Sequence, residues 1–178
     1  KFQPENRWVF YWGTSAGWRI SEEAFMKNLT FVDELKLRAS YGSVGNQSGV
    51  DRYDGAQLYN FTPSGGALIG NGKISYVDTN GKLPSTDRTW ERIHNYNIGL
   101  DFGFLRNRLT GTAEIFWKKS DNMLIDVIYP GILGDKAPTA NYGAFKAHGW
   151  EGMINWSDKI GKVNYHIGGT FTYTTNEL

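Results

Sequence analysis

The chain has 178 residues and a formal net charge of +1, so its length fits one domain and its charge does not predict a nucleic-acid partner. It contains no cysteine, which excludes a disulfide framework and a thiolate metal site. No stretch approaches the roughly 18 apolar residues that a transmembrane helix requires, which excludes a helical membrane protein.

Six segments alternate apolar and polar residues, as β-strands do when successive side chains point to opposite faces. In chain order they are residues 8–20, 35–41, 95–103, 109–117, 150–156 and 163–173. Between the first two, residues 21–34 predict a short helix, because Ser21 can cap it and Glu22 and Glu23 favour its first turn.

Each predicted strand has one apolar face and one mainly polar face. The apolar faces carry no charge, and we expect them to contact lipid through Trp12, Trp18, Leu37, Ile98, Leu100, Ile115, Ile154 and Ile167. The polar faces would line a water-filled interior through Arg19, Lys36, Arg38, Asp101, Glu114, Glu151 and His166.

The lengths of the strands and of their connections indicate a membrane barrel. A tilted strand needs about 9–11 residues to cross a bilayer, whereas strands of soluble proteins have about 5–6. Residues 44–94 and 120–141 form long loops, and residues 104–108 and 157–162 form short turns. We therefore predict an all-β fold: an antiparallel up-and-down transmembrane β-barrel segment of about six strands, with short periplasmic turns and long extracellular loops.

Aromatic residues cluster near the ends of the predicted strands, as they do at the two interfaces of a bilayer. Near the ends that lead to the long loops are Trp8, Tyr41, Tyr96, Trp117 and Tyr173. Near the opposite ends are Trp18, Phe102, Trp156 and Tyr165.

Two sequence patterns follow one another in a distinctive order. LKLRASYG-x-x-GNQ covers residues 35–47, and WE followed by NIGLDFG lies within residues 90–103. With residues 16–25, 140–143 and 149–152, these patterns resemble the SusC/RagA-type TonB-dependent outer-membrane transporters. The chain also begins with Lys rather than Met, so we expect residues 1–178 to be an internal part of one such barrel domain.

The resemblance implies a barrel of about 22 strands whose plug domain and closing strand lie outside this chain. It places the protein in the outer membrane of a Gram-negative bacterium and implies no cofactor. Its implied partners are the rest of the barrel and the plug, the TonB complex through regions outside the chain, a SusD-type surface lipoprotein, outer-membrane lipid and an oligosaccharide or peptide cargo.

The first long loop is rich in aromatic side chains, whose flat faces suit sugar rings. The candidates for contact with cargo or with a lid protein are Tyr53, Tyr59, Phe61, Tyr76 and Trp90. Alternatively, these rings fold the loop on itself.

Three other motifs have simpler interpretations. Residues 13–17 match the G-x-S-x-G nucleophile elbow, which would make Ser15 the nucleophile of a serine hydrolase, but the strand pattern continues straight through them. Residues 70–74 resemble half a phosphate loop without its helix, which favours an exposed turn. Asp78, Asn80 and Asp87 lack the spacing of a calcium loop, and the three histidines are too scattered for a metal site.

Two other classes of function stay open from the sequence. A soluble β-sandwich that binds carbohydrate would also alternate apolar and polar residues. A serine hydrolase would use Ser15. We expect the transporter segment itself to be neither an enzyme nor a metal protein.

Overall fold

The computed structural model describes residues 2–79, 81, 83–85, 87–128, 130–134 and 136–178. Over these residues the chain forms ten β-strands and three short 3₁₀ turns. In chain order the strands are β1 (Gly13–Arg19), β2 (Val32–Asn46), β3 (Tyr59–Thr62), β4 (Leu68–Ile69), β5 (Gly72–Lys73), β6 (Tyr76–Thr79), β7 (Glu91–Phe104), β8 (Leu109–Ile125), β9 (Ala140–Ile160) and β10 (Val163–Glu177). The 3₁₀ turns are Pro4–Asn6, Ile20–Glu22 and Gly131–Leu133. Among the described residues, no helix is long and apolar enough to cross a membrane.

Six strands form one sheet in the order β1-β2-β7-β8-β9-β10. The registers of its two long hairpins run from Arg92 opposite Asp121 to Phe104 opposite Leu109, and from Lys146 opposite Glu177 to Ile160 opposite Val163. Five of these strands have 14 to 21 residues, enough to cross a bilayer. The all-β antiparallel prediction is confirmed.

The structure differs from the sequence prediction at the first strand. The alternating pattern begins at Trp8, but the ladder with β2 begins at Gly13, opposite Gly42. Trp8 therefore lies outside the sheet, and Trp12 is held beside β2 by hydrogen bonds with Ser43. Alternation alone does not show where the partner strand ends, and this is why the prediction was too long.

The predicted helix over residues 21–34 is also wrong. A series of four-residue turns replaces it: the amide nitrogens of Glu23, Met26, Leu29 and Val32 each donate to the carbonyl three residues earlier. Only Ile20–Glu22 is helical, as 3₁₀, and β2 already begins at Val32. Asn28, Thr30 and Phe31 are weak helix formers, which do not support a longer helix.

The chain divides into two compact units. The loop unit comprises residues 1–10, 45–91 and 122–143, and the sheet unit comprises residues 11–44, 92–121 and 144–178. The loop unit contains two small ladders, β3 with β6 and β4 with β5, and a few buried side chains that include Phe2 and Val50.

The described part of the sheet unit is a single sheet whose large apolar side chains have no protein core to cover them. Ile98, Ile115 and Ile154 are 46–48% exposed, and Ile167 is 66% exposed. A soluble sandwich would bury such a face against a second sheet.

Candidate functional site

Tyr59 and Phe61 form an exposed aromatic pair on β3. They are two residues apart on the strand, so they share one face with their register partners Thr79 and Val77 on β6. Each ring is 67% exposed. The pair is thus a short apolar surface in the loop unit, carried by a β-ladder.

The other three predicted loop aromatics do not join this surface. Tyr76 lies on the opposite face of the ladder and packs over Gly65, where a Cβ would approach its ring within 2.9 Å. The Trp90 ring lies 5.0 Å from that of Phe2, and its indole nitrogen donates to the Arg7 carbonyl. Tyr53 is exposed and lines a separate cavity of about 140 Å³.

A buried ion pair organises the loop unit. Arg88 pairs with Asp54, and its Nε donates to the Thr139 carbonyl at 3.0 Å. The Arg88 carbonyl accepts a hydrogen bond from the side chain of Asn6. One arginine therefore links the three separate segments that make up the unit.

Asn141 links two of these segments. Its side chain bonds both the amide and the carbonyl of Thr89 at 3.0 Å, and it also donates to the Asn122 carbonyl at 2.7 Å. Sequence reasoning missed Arg88, Asp54 and Asn141, because a single Asp, Arg or Asn in a loop gives no periodic signal.

On the polar face of the sheet, Arg38 reaches across two neighbouring strands. Its guanidinium is 3.2 Å from Asp101 on β7 and 2.7 Å from Glu114 on β8. Gly99 makes this crossing possible, because a Cβ there would lie 2.7 Å from the guanidinium carbon. The structure thus brings three of the predicted interior-facing residues into one ionic cluster.

The other predicted polar-face residues stay apart from this cluster. Arg19 is in register with Lys36, which places like charges opposite each other, and Arg19 instead pairs with Glu22 at 3.3 Å. The ring of His166 lies 2.8 Å from the Ser157 hydroxyl. Glu151 is exposed opposite Thr172.

The predicted apolar residues share one face of the sheet. The registers place Trp18 opposite Leu37, Ile98 opposite Ile115, Leu100 opposite Ala113, Ile154 opposite Gly169 and Ile167 opposite Trp156. The Tyr41 ring continues this face, at 4.7 Å from Trp12 and 4.8 Å from Tyr96. Lipid contact at these positions stays a prediction.

Ser15 lies in the middle of β1, opposite Ser40. A nucleophile elbow requires a sharp turn between a strand and a helix, and the chain is extended at this point. Strand continuation through residues 13–17 is therefore the correct interpretation.

The remaining motifs do not form ligand sites among the described residues. The half phosphate loop begins in the turn of the β4–β5 hairpin, where Gly70 has a φ of 62°, and continues into β5. The described residues contain no group of three or more side chains suited to hold a metal ion. Asn80, one of the three calcium candidates, lies outside the described residues.

Comparison with known families decides what kind of sheet this is. The pattern of the family described as "TonB dependent receptor-like, beta-barrel" matches residues 1–178. The chain belongs to this family. TonB-dependent receptor barrels reside in the outer membrane of Gram-negative bacteria, so the predicted localisation is confirmed.

Among curated proteins, the chain is 31% identical over 180 residues to the TonB-dependent receptor SusC of Bacteroides thetaiotaomicron. The match covers 100% of this chain but 18% of SusC, so the chain spans less than a fifth of that relative. The expected resemblance to SusC/RagA-type receptors is confirmed.

Solved structures show the same fold. The chain is similar to a structure of the RagAB peptide transporter with a TM-score of 0.80 and 24% identity, covering 99% of this chain and 19% of the other. For the RagAB peptide importer in its "open-open" state, the TM-score is 0.83 at 23% identity, covering 99% and 18%.

Proposed function

We propose that this TonB-dependent receptor segment is part of the wall of a nutrient importer that takes up oligosaccharide or peptide. Residues 1–178 would belong to one barrel domain, with the plug and the closing strand supplied by other regions. The observation that carries the proposal is the single long-stranded sheet whose apolar face is uncovered and carries no charge at its central positions, in a chain of this family.

The connections of the sheet give the proposed sidedness. Residues 47–90 and 126–139 join strand ends on one side of the sheet, and the turns after β7 and β9 lie on the other. The long connections, predicted as loops 44–94 and 120–141, would face the cell exterior, and the short turns would face the periplasm.

The partners follow from the proposed role. The sheet edges at β1 and β10 would pair with further strands of the same barrel, since open edges leave unpaired backbone groups in lipid. The plug and the TonB complex would act through other regions. A SusD-type lipoprotein would cover the long loops, and this segment would carry out no catalysis.

Two classes of cargo have support. RagAB, whose solved structures resemble this chain, is a peptide transporter, and this supports peptide. Oligosaccharide is supported by the exposed Tyr59–Phe61 pair, because flat rings beside polar groups suit sugar faces. Both classes would meet the same surface at the loop unit. We therefore propose Tyr59 and Phe61 as the contact for cargo or for the lid protein.

The test is uptake by cells carrying the full-length transporter with Tyr59→Ala and Phe61→Ala together. Stacking contributes about 1–3 kcal/mol per ring in other aromatic platforms. The double variant should therefore lose at least tenfold in uptake at limiting cargo, or in affinity for the lipoprotein, at normal outer-membrane abundance.

The matched control is Asn60→Ala with Asp78→Ala, which changes the opposite face of the same ladder. The control should retain both uptake and lipoprotein binding. Equal loss in both variants would mean that the ladder acts only through its fold, and no loss in either would remove the aromatic pair from the function.

A further inference from the structure

The loop unit contains a polar cavity of about 400 Å³ beside the Arg88–Asp54 ion pair. Its wall comes from three stretches of the chain: residues 84–85 and 87–89, Asn122, and residues 138–142. Small-molecule sites in proteins usually have volumes of about 300–1,000 Å³. The cavity is therefore large enough for a ligand and much larger than a single buried water requires.

Two polar atoms of residues in this wall have no hydrogen-bond partner in the described part of the chain. They are Nη2 of Arg88, whose side chain is 4% exposed, and the hydroxyl oxygen of Thr139. The two residues are in direct contact, because the Arg88 Nε donates to the Thr139 carbonyl at 3.0 Å. Buried donors and acceptors are nearly always paired in native proteins, since an unpaired one destabilises the fold. A ligand oxygen that meets both atoms would supply the missing bonds.

The wall is held in place by bonds that do not use these two atoms. Asn141 bonds the amide and the carbonyl of Thr89, and it also bonds the carbonyl of Asn122. The other terminal nitrogen of Arg88, Nη1, is paired with Asp54. A site whose groups are already held in position loses less conformational entropy when it binds a ligand.

The charge of the wall does not favour an anion. Asp54 already neutralises Arg88, and Asp87 adds an exposed carboxylate to the wall, whose other described residues are uncharged. An uncharged ligand with hydroxyl groups fits better. A hydroxyl can accept from the Arg88 guanidinium, form a bond in either direction with the Thr139 hydroxyl, and donate to a carboxylate.

The cavity also has an apolar surface beside these polar groups. Tyr142, at the start of β9, is 74% exposed and lines the cavity together with Pro84 and Pro138. Flat rings of this kind suit the apolar face of a pyranose, whose edge carries hydroxyl groups. A peptide backbone would offer carbonyl oxygens to Arg88 but no row of hydroxyls beside a flat apolar face. The combination therefore favours a sugar.

We propose that the cavity lined by Asp87, Arg88, Thr139 and Tyr142 binds a neutral sugar residue of the cargo, a proposal that rests on the import function proposed above. One sugar hydroxyl takes the bonds of the Arg88 Nη2 and the Thr139 hydroxyl, and the sugar ring stacks on Tyr142. The site is separate from the Tyr59–Phe61 pair, which lies on β3. Since the sugar would bind only the folded loop unit, it would also stabilise that unit.

The experiment is a calorimetric titration of the full-length transporter in detergent with maltotetraose, mannotetraose, galactotetraose and xylotetraose. At least one of these neutral sugars should bind the parent. Thr139→Val should bind the same sugar roughly three- to tenfold more weakly, which is the contribution of one neutral hydrogen bond. Because this substitution removes an unpaired buried hydroxyl, protease cleavage within residues 45–91 in the absence of sugar should be no faster than in the parent. A merely structural role of Thr139 would instead accelerate cleavage.

The matched control is Thr62→Val, a threonine of β3 in the same unit but outside the cavity wall, which should leave sugar affinity unchanged. Tyr142→Ala removes the exposed ring and should weaken binding about tenfold, as loss of one stacked ring does elsewhere. Should Thr139→Val not assemble, Tyr142→Ala decides the question.

The proposal is overturned if none of the four sugars binds, if Thr139→Val and Tyr142→Ala both keep the parent affinity, or if Thr62→Val loses as much. Tetra-alanine with blocked ends is the peptide probe. If it binds in place of the sugars and Thr139→Val weakens it, the cavity takes peptide and the assignment to sugar is wrong. Parent-like sugar affinity in both cavity variants, in cells that still import oligosaccharide, would leave the import function standing and remove only the cavity from it.

Discussion

Arg88 and Asp54 form an ion pair inside the loop unit, with 4% of each side chain exposed. They are 34 residues apart in the chain, so the pair joins the beginning and the end of the first long connection. Asp54 also accepts a hydrogen bond from the Asp51 amide at 2.7 Å. The connection is therefore a folded body with its own buried charges.

Asp54→Ala should open the loop unit. It leaves the Arg88 charge buried without its carboxylate, and breaking a buried pair from one side costs roughly 3–5 kcal/mol. We expect limited proteolysis of the full-length transporter to cleave within residues 45–91 at least tenfold faster, while the heat resistance of the barrel stays the same.

The control for this prediction is Asp126→Asn, which changes an exposed carboxylate of the same unit. It should be cleaved at the parent rate. Adding Arg88→Met to Asp54→Ala should slow cleavage again, because it removes the unpaired charge. Parent-like cleavage of Asp54→Ala would show that the pair does not hold the unit together.

Gly99→Ala should weaken the barrel wall. The new methyl group would occupy the path of the Arg38 guanidinium and separate it from Asp101 and Glu114. Overpacking of this kind costs about 1–3 kcal/mol, which a urea titration of folding into lipid vesicles can measure.

Gly169→Ala is its matched control, since Gly169 also lies in a long strand but has open space around a Cβ. It should be neutral or slightly stabilising. If the two substitutions have equal effects, the close approach of Arg38 to Gly99 is not important for stability.

Ile98→Arg should be far more costly than Asn97→Arg, its neighbour on the opposite face. An arginine on the lipid side near the midplane costs roughly 2–4 kcal/mol, whereas one in a water-filled interior costs little. The same titration measures both, and Ile154→Arg with Asn155→Arg repeats the comparison on β9. Equal effects within both pairs would contradict the assignment of one face to lipid and the other to a water-filled interior.

Much of the sheet was predictable because its signal is periodic. Ile98 and Ile115 were predicted on one face, and the register places them opposite each other. The ends of strands were less predictable. The alternation begins at Trp8, before the ladder of β1 with β2 starts at Gly13, while β9 already begins at Ala140, ten residues before the predicted start.

The candidate site was harder to predict, because its geometry depends on long-range contacts. Five loop aromatics looked equivalent in the sequence, but Trp90 is engaged with Phe2 and Arg7, and Tyr76 covers Gly65. The pairing of β3 with β6 shows that Tyr59 and Phe61 lie on one face of a ladder and Tyr76 on the other.

Tests of sidedness depend on where an insertion is tolerated. In the long connections, Gly66 is a poor position for a tag because it packs against Ile74, and Asp135 lies outside the described residues. The β4–β5 turn at Gly70 and Asn71 is exposed and has open space around Gly70. The β9–β10 turn at Gly161 is equally open and serves as the matched position for the opposite side.

The most direct test of the transporter-wall proposal is antibody labelling of intact cells that express the full-length transporter with an epitope tag. A tag between Gly70 and Asn71 should be labelled on intact cells, and a tag at Gly161 should be labelled only after the outer membrane is permeabilised. Labelling of both tags, or of the Gly161 tag alone, on intact cells with normal uptake would contradict the proposed topology.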